Sequence, residues 1–377
     1  MKPQKSIRSR RDFIRVCLAS SAGICSIPRS LNATQSGPVP AKHMKEARYS
    51  QQTPRGVACL ICPNECTLLE GEVSECRNRI VVNGKLYTMA YGNPCALNID
   101  PVEKKPLYHF LPASRSLSLA TAGCNLACLN CQNWEISQTG PDKTRNIELM
   151  PDSIAATAKA NDCLSVSYTY SEPVTFYEYV YDSALAARKE GIRNIIVSNG
   201  YINREPLVDL SRVIDAANID LKVFNESTYL RLTGGKLKPV LDSLETYLKA
   251  GVWLEITNLV VPGYSDRERE VTDMCRWLKG NGFAGVPLHF SRFHPQHKLD
   301  KLPPTPLAVL ERFADIATSE GISFVYIGNV PGSDRSNTIC KVCGKEVIRR
   351  EGYTITLNNL VDNRCGSCNS VVEGVWK

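Results

Sequence analysis

Thr121-Ala122-Gly123-Cys124-Asn125-Leu126-Ala127-Cys128-Leu129-Asn130-Cys131-Gln132-Asn133-Trp134 is the stretch around which this chain of 377 residues is organised. Its three cysteines have the spacing CxxxCxxC. Cysteine thiolates are the usual ligands of iron–sulfur clusters, and a four-iron cluster normally takes four of them. Three on one short loop hold three irons and leave the fourth open to a substrate or cofactor. Close cysteines also occur in zinc sites and redox dithiols. Zinc wants a fourth ligand, and none lies close by in sequence.

Ahead of the loop, Ser116-Leu117-Ser118-Leu119-Ala120-Thr121 reads as a short strand, and several strand–helix units follow it. A cluster loop directly after the first strand of an α/β barrel is the arrangement of the radical S-adenosylmethionine (SAM) enzymes, and this sequence resembles them. The resemblance implies a [4Fe-4S] cluster on Cys124, Cys128 and Cys131 whose open iron binds the amino and carboxylate groups of SAM. An electron from the cluster then cleaves the sulfonium and yields a 5′-deoxyadenosyl radical. The cofactor carries the hard chemistry and the protein supplies position and shelter. Such an enzyme takes its electron from a reductant such as flavodoxin or ferredoxin.

The runs Tyr91-Gly92 and Asp100-Pro101-Val102-Glu103-Lys104-Lys105-Pro106-Leu107-Tyr108-His109-Phe110 narrow the resemblance. With the cysteines before them and Cys131-Gln132-Asn133-Trp134-Glu135-Ile136-Ser137, they resemble the AmmeMemoRadiSam-system radical SAM proteins. Those are relatives of the pyruvate formate-lyase activating enzymes. The similarity runs from about Cys59 to the C-terminus. His109 by itself reads as a structural histidine near a turn.

The chain carries a formal charge of +7, which raises the question of nucleic acid. Lys2, Lys5, Arg8, Arg10, Arg11, Arg15 and Arg29 stand against only Asp12 in the first 29 residues, so the basic excess belongs to the leader. The remainder is nearly neutral, and a phosphate-binding footprint is not indicated. Residues 1–33 read as a targeting segment. Ser9-Arg10-Arg11-Asp12-Phe13-Ile14-Arg15 resembles the twin-arginine export signal, and the uncharged run Val16–Ile27 suits a signal core but is shorter than the ~20 residues of a membrane span. A disordered basic arm is the plainer reading. A twin-arginine signal points to the periplasm, whereas SAM and low-potential electrons belong to the cytoplasm. Residues 34–55 lack periodicity and read as a linker.

Of sixteen cysteines, eleven fall into three groups with metal-ligand spacing. Residues 56–115 form a cysteine-rich module with Cys59, Cys62, Cys66 and Cys76. Four thiolates suit zinc or an iron–sulfur cluster, and disulfides are the alternative for a protein exported empty. Residues 338–377 hold Cys340-x-x-Cys343 and Cys365-x-x-Cys368, two knuckles about twenty residues apart, a strong metal signal. A zinc ribbon is the default reading and a single iron the alternative.

Residues 116–332 alternate. Apolar, β-rich runs occur at 117–121, 164–169, 194–198, 218–222, 252–260, 286–292 and 322–327. Amphipathic segments Ser153–Ala160, Tyr177–Lys189, Val240–Ala250, Arg267–Lys279 and Leu307–Ser319 lie between them, with Gly191, Gly251, Gly282 and Gly321 at helix ends. Such repetition implies α/β architecture with a parallel sheet. Six or seven units fall short of the eight of a closed barrel. The resemblance implies a partial (β/α)6-type TIM barrel between the two cysteine modules.

Working residues of parallel barrels sit at the C-terminal ends of the strands. By resemblance, Glu172 meets the SAM amino group, although Tyr170 and Ser171 replace the two glycines expected before it. Ser198-Asn199-Gly200 is similar to a turn that faces the SAM ribose. Asp220 and Lys222 share a strand face, so Lys222 is placed to neutralise the SAM carboxylate, with a structural Asp–Lys pair as the alternative. His294 matches a histidine near the cofactor. Asn130 stands where the family often has an aromatic, and Trp134 is the candidate to replace it. The resemblance implies glycyl-radical formation on a partner protein. Radical modification of another peptide, an RNA or a small molecule, or plain electron transfer, are the alternatives.

Overall fold

The structure, a computed structural model, describes residues 33–34 and 37–377; the twin-arginine-type motif lies outside the described residues. An eight-stranded sheet organises the chain, with its strands in sequence order. They are β1 (Ala96–Pro101), β2 (Arg115–Ala120), β3 (Cys163–Tyr168), β4 (Arg193–Ser198), β5 (Ala216–Asp220), β6 (Trp253–Val260), β7 (Leu288–Arg292) and β8 (Val325–Gly328). From β2 to β8 every neighbouring pair is parallel, and β1 lies antiparallel on β2. Among the described residues the edge strands β1 and β8 do not pair with each other.

Helices connect the parallel strands: α1 (Pro151–Lys159), α2 (Tyr177–Lys189), α3 (Arg204–Ser211), α4 (Glu226–Thr233), α5 (Leu237–Lys249), α6 (Glu268–Gly280) and α7 (Leu307–Glu320). Each buries one stripe. In α6 the buried residues are Val271, Met274, Cys275 and Leu278, and in α7 they are Leu310, Phe313, Ala314 and Ala317, the three-and-four spacing of an amphipathic helix. Gly321, with φ 97°, ends α7 in the left-handed conformation that glycine adopts freely.

The strands alternate too. Leu117, Leu119, Val166, Ile196, Ile219, Ile256, Leu288 and Phe290 belong to the main apolar core with the helix stripes. Between them Ser116, Ser118, Ser165, Ser167, Asn218, His289 and Ser291 are buried and polar. A period of two places these on the opposite face of the sheet, where they are buried beside a smaller apolar cluster that includes Ile195, Val197 and Ala216. Ser116 and Ser167 hydroxyls meet at 2.6 Å across neighbouring strands.

At the N-terminal ends of β6, β7 and β8 that face is closed by a hydrogen-bonded cluster. Glu255 accepts from the backbone N–H of Tyr108 and His109, at 3.0 and 2.7 Å, and lies 2.6 Å from His289 Nε2. His109 bonds the Glu373 carbonyl through Nδ1 and the Tyr326 hydroxyl through Nε2, each at 2.6 Å. Burial holds its pKa down at about 4, so the ring is neutral, donating at one nitrogen and accepting at the other. His109 is thus a structural residue.

Lys45–Glu46 and Ser50–Thr53, in the stretch expected to be a linker, form strands paired with Lys85–Thr88 and Gly56–Cys59. Their side chains are mostly exposed, so no apolar alternation marks them. Among the described residues no helix is long and apolar enough to cross a membrane.

One buried ion pair ties the cysteine-rich module to α2. Arg79 donates twice to Glu178, at 3.1 Å each, and the two side chains are 1% and 0% exposed. Removing one partner of such a pair leaves a buried charge uncompensated. Glu178→Gln is expected to lower unfolding stability by about 3–5 kcal/mol, read from urea denaturation at neutral pH. A loss below about 1 kcal/mol, the value of a surface pair, would show that water reaches Arg79.

Candidate functional site

The loop between β2 and the single helical turn Trp134–Ser137 carries the three cysteines. It leaves the sheet through Gly123, with φ 98°, where a Cβ would lie 2.4 Å from the Cys76 carbonyl oxygen. Glycine is required there by both the dihedral and the close approach. The loop is held from outside by Asn78, which donates to the Ala122 carbonyl at 2.6 Å. Ala127 and Leu129 donate to the Thr233 and Leu232 carbonyls at the end of α4, at 2.9 Å each.

Cys124, Cys128 and Cys131 line a cavity of about 510 Å³ together with Glu172, Ser198, Asn199, Asp220 and Lys222. Among small-molecule sites about 300–1,000 Å³ is usual. The parallel register brings these groups level: Ser198 pairs with Ile219, and Asp220 with Thr257. They sit at or just beyond the C-terminal strand ends, opposite to the Glu255 cluster.

Glu172 is 3% exposed. It accepts from Ser198 Oγ at 2.7 Å, Asn199 N at 2.8 Å and Val174 N at 3.1 Å. Burial pushes its carboxyl up to about 7 in spite of these three bonds. Its structural effect is to fix the Ser198–Asn199 turn. Asn199 Nδ2 then reaches Asn125 Oδ1 at 2.9 Å and Cys124 Sγ at 3.8 Å. Lys222 Nζ donates to Asp220 Oδ2 at 2.7 Å. Burial disfavours its charge, but Asp220 and the nearby Cys128 outweigh that and raise its pKa well above the ordinary value. Burial also pushes the Cys128 thiol up to about 11 and raises Cys124 well above its usual range. Thiols so placed ionise when a metal displaces the proton.

Tyr170 stands where the resemblance expects glycine, and its backbone has φ 66°. The left-handed conformation persists without the residue that adopts it freely, at a cost of about 1–3 kcal/mol. The Tyr170 hydroxyl donates to Asp100, which also holds Lys104 and Lys105. The Trp134 ring stacks on His297, centroids 5.3 Å apart. Asn130 lines the cavity, and its Oδ1 is buried without a partner. His294 is exposed, after β7, and is not among the lining residues.

The region of residues 118–275 matches the model of the Radical SAM superfamily. An uncharacterized protein of Methanocaldococcus jannaschii is 43% identical over 333 residues, covering 88% of this chain and 99% of that protein. Pyruvate formate-lyase 1-activating enzyme of Escherichia coli is 26% identical over 218 residues, 54% of this chain and 89% of the enzyme. This chain belongs to the radical SAM superfamily. It is a homologue of the pyruvate formate-lyase activating enzymes. Among solved structures, a domain of such an enzyme from Bacteroides vulgatus aligns at 17% identity over 44% of this chain and 99% of its own, with a TM-score of 0.38.

In this radical SAM protein the cavity has further walls that sequence reasoning did not name. Asn218, Thr257 and Ser291 come from β5, β6 and β7, Lys104 and Lys105 from the segment after β1, and Tyr353 from the C-terminal module. Asn218 precedes Asp220 by two, so the strand period that paired Asp220 with Lys222 also reaches it.

That module contains the antiparallel strands β9 (Thr338–Ile339), β10 (Glu346–Glu351) and β11 (Thr354–Asn358). Its two knuckles repeat one geometry. Gly344 N–H donates to the Cys340 carbonyl and Asn369 N–H to the Cys365 carbonyl, at 2.9 and 2.8 Å, with φ 69° and 59°. All four sulfurs lie within 4.8 Å of one another, the only such group among the described residues. Cys340–Cys368 and Cys343–Cys365 are 3.7 and 3.8 Å apart. A tetrahedral ion with metal–sulfur bonds of about 2.3 Å sets its sulfurs about 3.8 Å apart. The arrangement can hold one metal ion. Purified full-length protein is expected to carry about one zinc or iron there, lost in Cys343→Ser/Cys368→Ser with a lower unfolding midpoint. Unchanged metal content in that variant would contradict the assignment.

Proposed function

We propose that this radical SAM protein is an activating-type enzyme, with a [4Fe-4S] cluster on Cys124, Cys128 and Cys131 and SAM in the cavity beside it. The cluster, when bound, supplies the electron that cleaves SAM to a 5′-deoxyadenosyl radical, which abstracts hydrogen from a substrate. A glycine of a partner protein is the leading substrate, and flavodoxin or ferredoxin the reductant. The reading takes residues 56–115, 116–332 and 338–377 as three modules, the middle one a partial barrel.

The observation that carries it is the convergence of three thiols, Glu172, Asn199 and Lys222 on one cavity at the strand ends. The residues fit the group. Lys222 supplies a cation for the SAM carboxylate. Glu172 uses three of about four lone-pair sites on the protein itself, leaving one for the ammonium. Asn130 offers an unpartnered acceptor between two of the thiols. The stacked Trp134 and His297 offer aromatic surface at the loop end. A primary carbon radical attacks whatever it meets, so shelter from water matters. His294, exposed, has no part in this reading.

The test is 5′-deoxyadenosine formation from SAM by anaerobic, reduced protein. Wild type is expected to form it, and Cys124→Ala, Cys128→Ala and Cys131→Ala are each expected to fall to background. Lys222→Ala is expected to weaken SAM binding about ten- to hundredfold, the worth of a charge-assisted hydrogen bond of about 1.5–3 kcal/mol. Substantial product from all three cysteine variants would overturn the reading.

A further inference from the structure

Cys59, Cys62, Cys66 and Cys76 are unused by the reading above. They line one small cavity with Arg79, Asn125 and Thr175. None of the four is disulfide-bonded. The loops that carry them turn sharply: Glu65, before Cys66, has φ 44°, and Arg77, after Cys76, has φ 69°. Cys59 N–H donates to the Cys66 carbonyl at 2.9 Å. Ser74 Oγ accepts from Arg79 N–H at 3.2 Å and lies 3.1 Å from Cys76 Sγ, within hydrogen-bond reach. A hydroxyl aimed at a sulfur stabilises a thiolate and tunes a bound metal.

The spacing of the sulfurs separates this set from the C-terminal one. The C-terminal sulfurs all lie within 4.8 Å of one another, as one ion requires, and no three of the N-terminal sulfurs do. A single zinc ion would have to draw them inward to about 3.8 Å. A four-iron cube gives each thiolate its own iron and so holds the sulfurs farther apart.

The two sulfur sets are also neighbours. Asn64 Nδ2 donates to the Asn125 carbonyl at 2.9 Å, and Asn125 follows Cys124 directly. Asn125 and Cys62 line the same small cavity. The Cys76 carbonyl abuts Gly123. Fully buried Arg79 brings a guanidinium to the same cavity, balanced by Glu178.

We infer that Cys59, Cys62, Cys66 and Cys76 hold a second, fully thiolate-ligated four-iron cluster that relays single electrons to the Cys124 loop. The step is one-electron. A reduced flavodoxin- or ferredoxin-class carrier is oxidised by one electron and the second cluster is reduced by one. That cluster returns to its oxidised state when the electron passes on, with no bond made or broken and no proton moved. Occupancy of the site stands on its own geometry, whereas the relay rests on the function proposed above.

The test counts iron, acid-labile sulfide and zinc in anaerobically reconstituted full-length protein. The triple variant Cys124→Ala/Cys128→Ala/Cys131→Ala is expected to keep about four irons and about four sulfides, with a paramagnetic signal on reduction that SAM does not alter. Cys59→Ala/Cys62→Ala is expected to lose about four irons relative to wild type while its zinc is unchanged. No sulfide in the triple variant would overturn the inference, as would loss of one zinc in the double variant. The triple variant leaves these four cysteines intact, so the result survives if the double variant fails to fold. A SAM-sensitive signal in wild type reports on the function proposed above independently.

Discussion

At Gly123 two cysteine loops approach so closely that one added methyl group would collide with the Cys76 carbonyl oxygen. Much of the site depends on that contact. Asn78, next to it, bonds both the Ala122 carbonyl and the Thr175 hydroxyl. Asn125, on the other side of Cys124, bonds the Tyr201 carbonyl and accepts from Asn199. The three-cysteine loop is therefore held from two other segments, by Asn78 on one side and by Asn199 with the Tyr201 carbonyl on the other. A binding loop held this way loses little entropy on binding.

The sheet supplies a second condition. Its helix-facing residues form the main apolar core, and its other face buries many polar groups. Buried polar groups must find partners. At one end they find each other through Glu255, His289, His109 and Tyr326, and the C-terminal module packs onto that end. Arg350 donates to the Tyr108 carbonyl at 2.8 Å and lies over the Tyr108 ring at 4.2 Å. At the other end Asp220, Lys222 and Asn130 face open space. Closure at one end leaves the cavity at the other end, beside the thiols, as the place for a ligand.

Much of this was legible in the sequence, for stated reasons. Tyr177–Lys189 is a helix with the expected bounds, because its stripe is long and regular. The strand runs of the central region are within about two or three residues of those observed, since apolar outward positions alternate with serine and asparagine. Helices α3 and α4 were missed: each has eight residues, and Pro206 interrupts the reading of α3. Strand β1 has two polar residues among its six, Asn98 and Asp100, and its pairing partner is fourteen or more residues on. Tyr353 reaches the cavity through tertiary packing that no local pattern encodes. His294 shows the converse. A motif match placed it near the cofactor, and the chain after β7 carries it into solvent while His297 meets Trp134.

The measurement that bears most directly on the central claim is electron paramagnetic resonance of the reduced, reconstituted protein, recorded without and with SAM. The account predicts a four-iron signal of which one component shifts when SAM is added, because SAM binds the iron that the CxxxCxxC loop leaves open. A spectrum wholly indifferent to SAM would contradict it, and would leave the chain an electron carrier on a radical SAM fold.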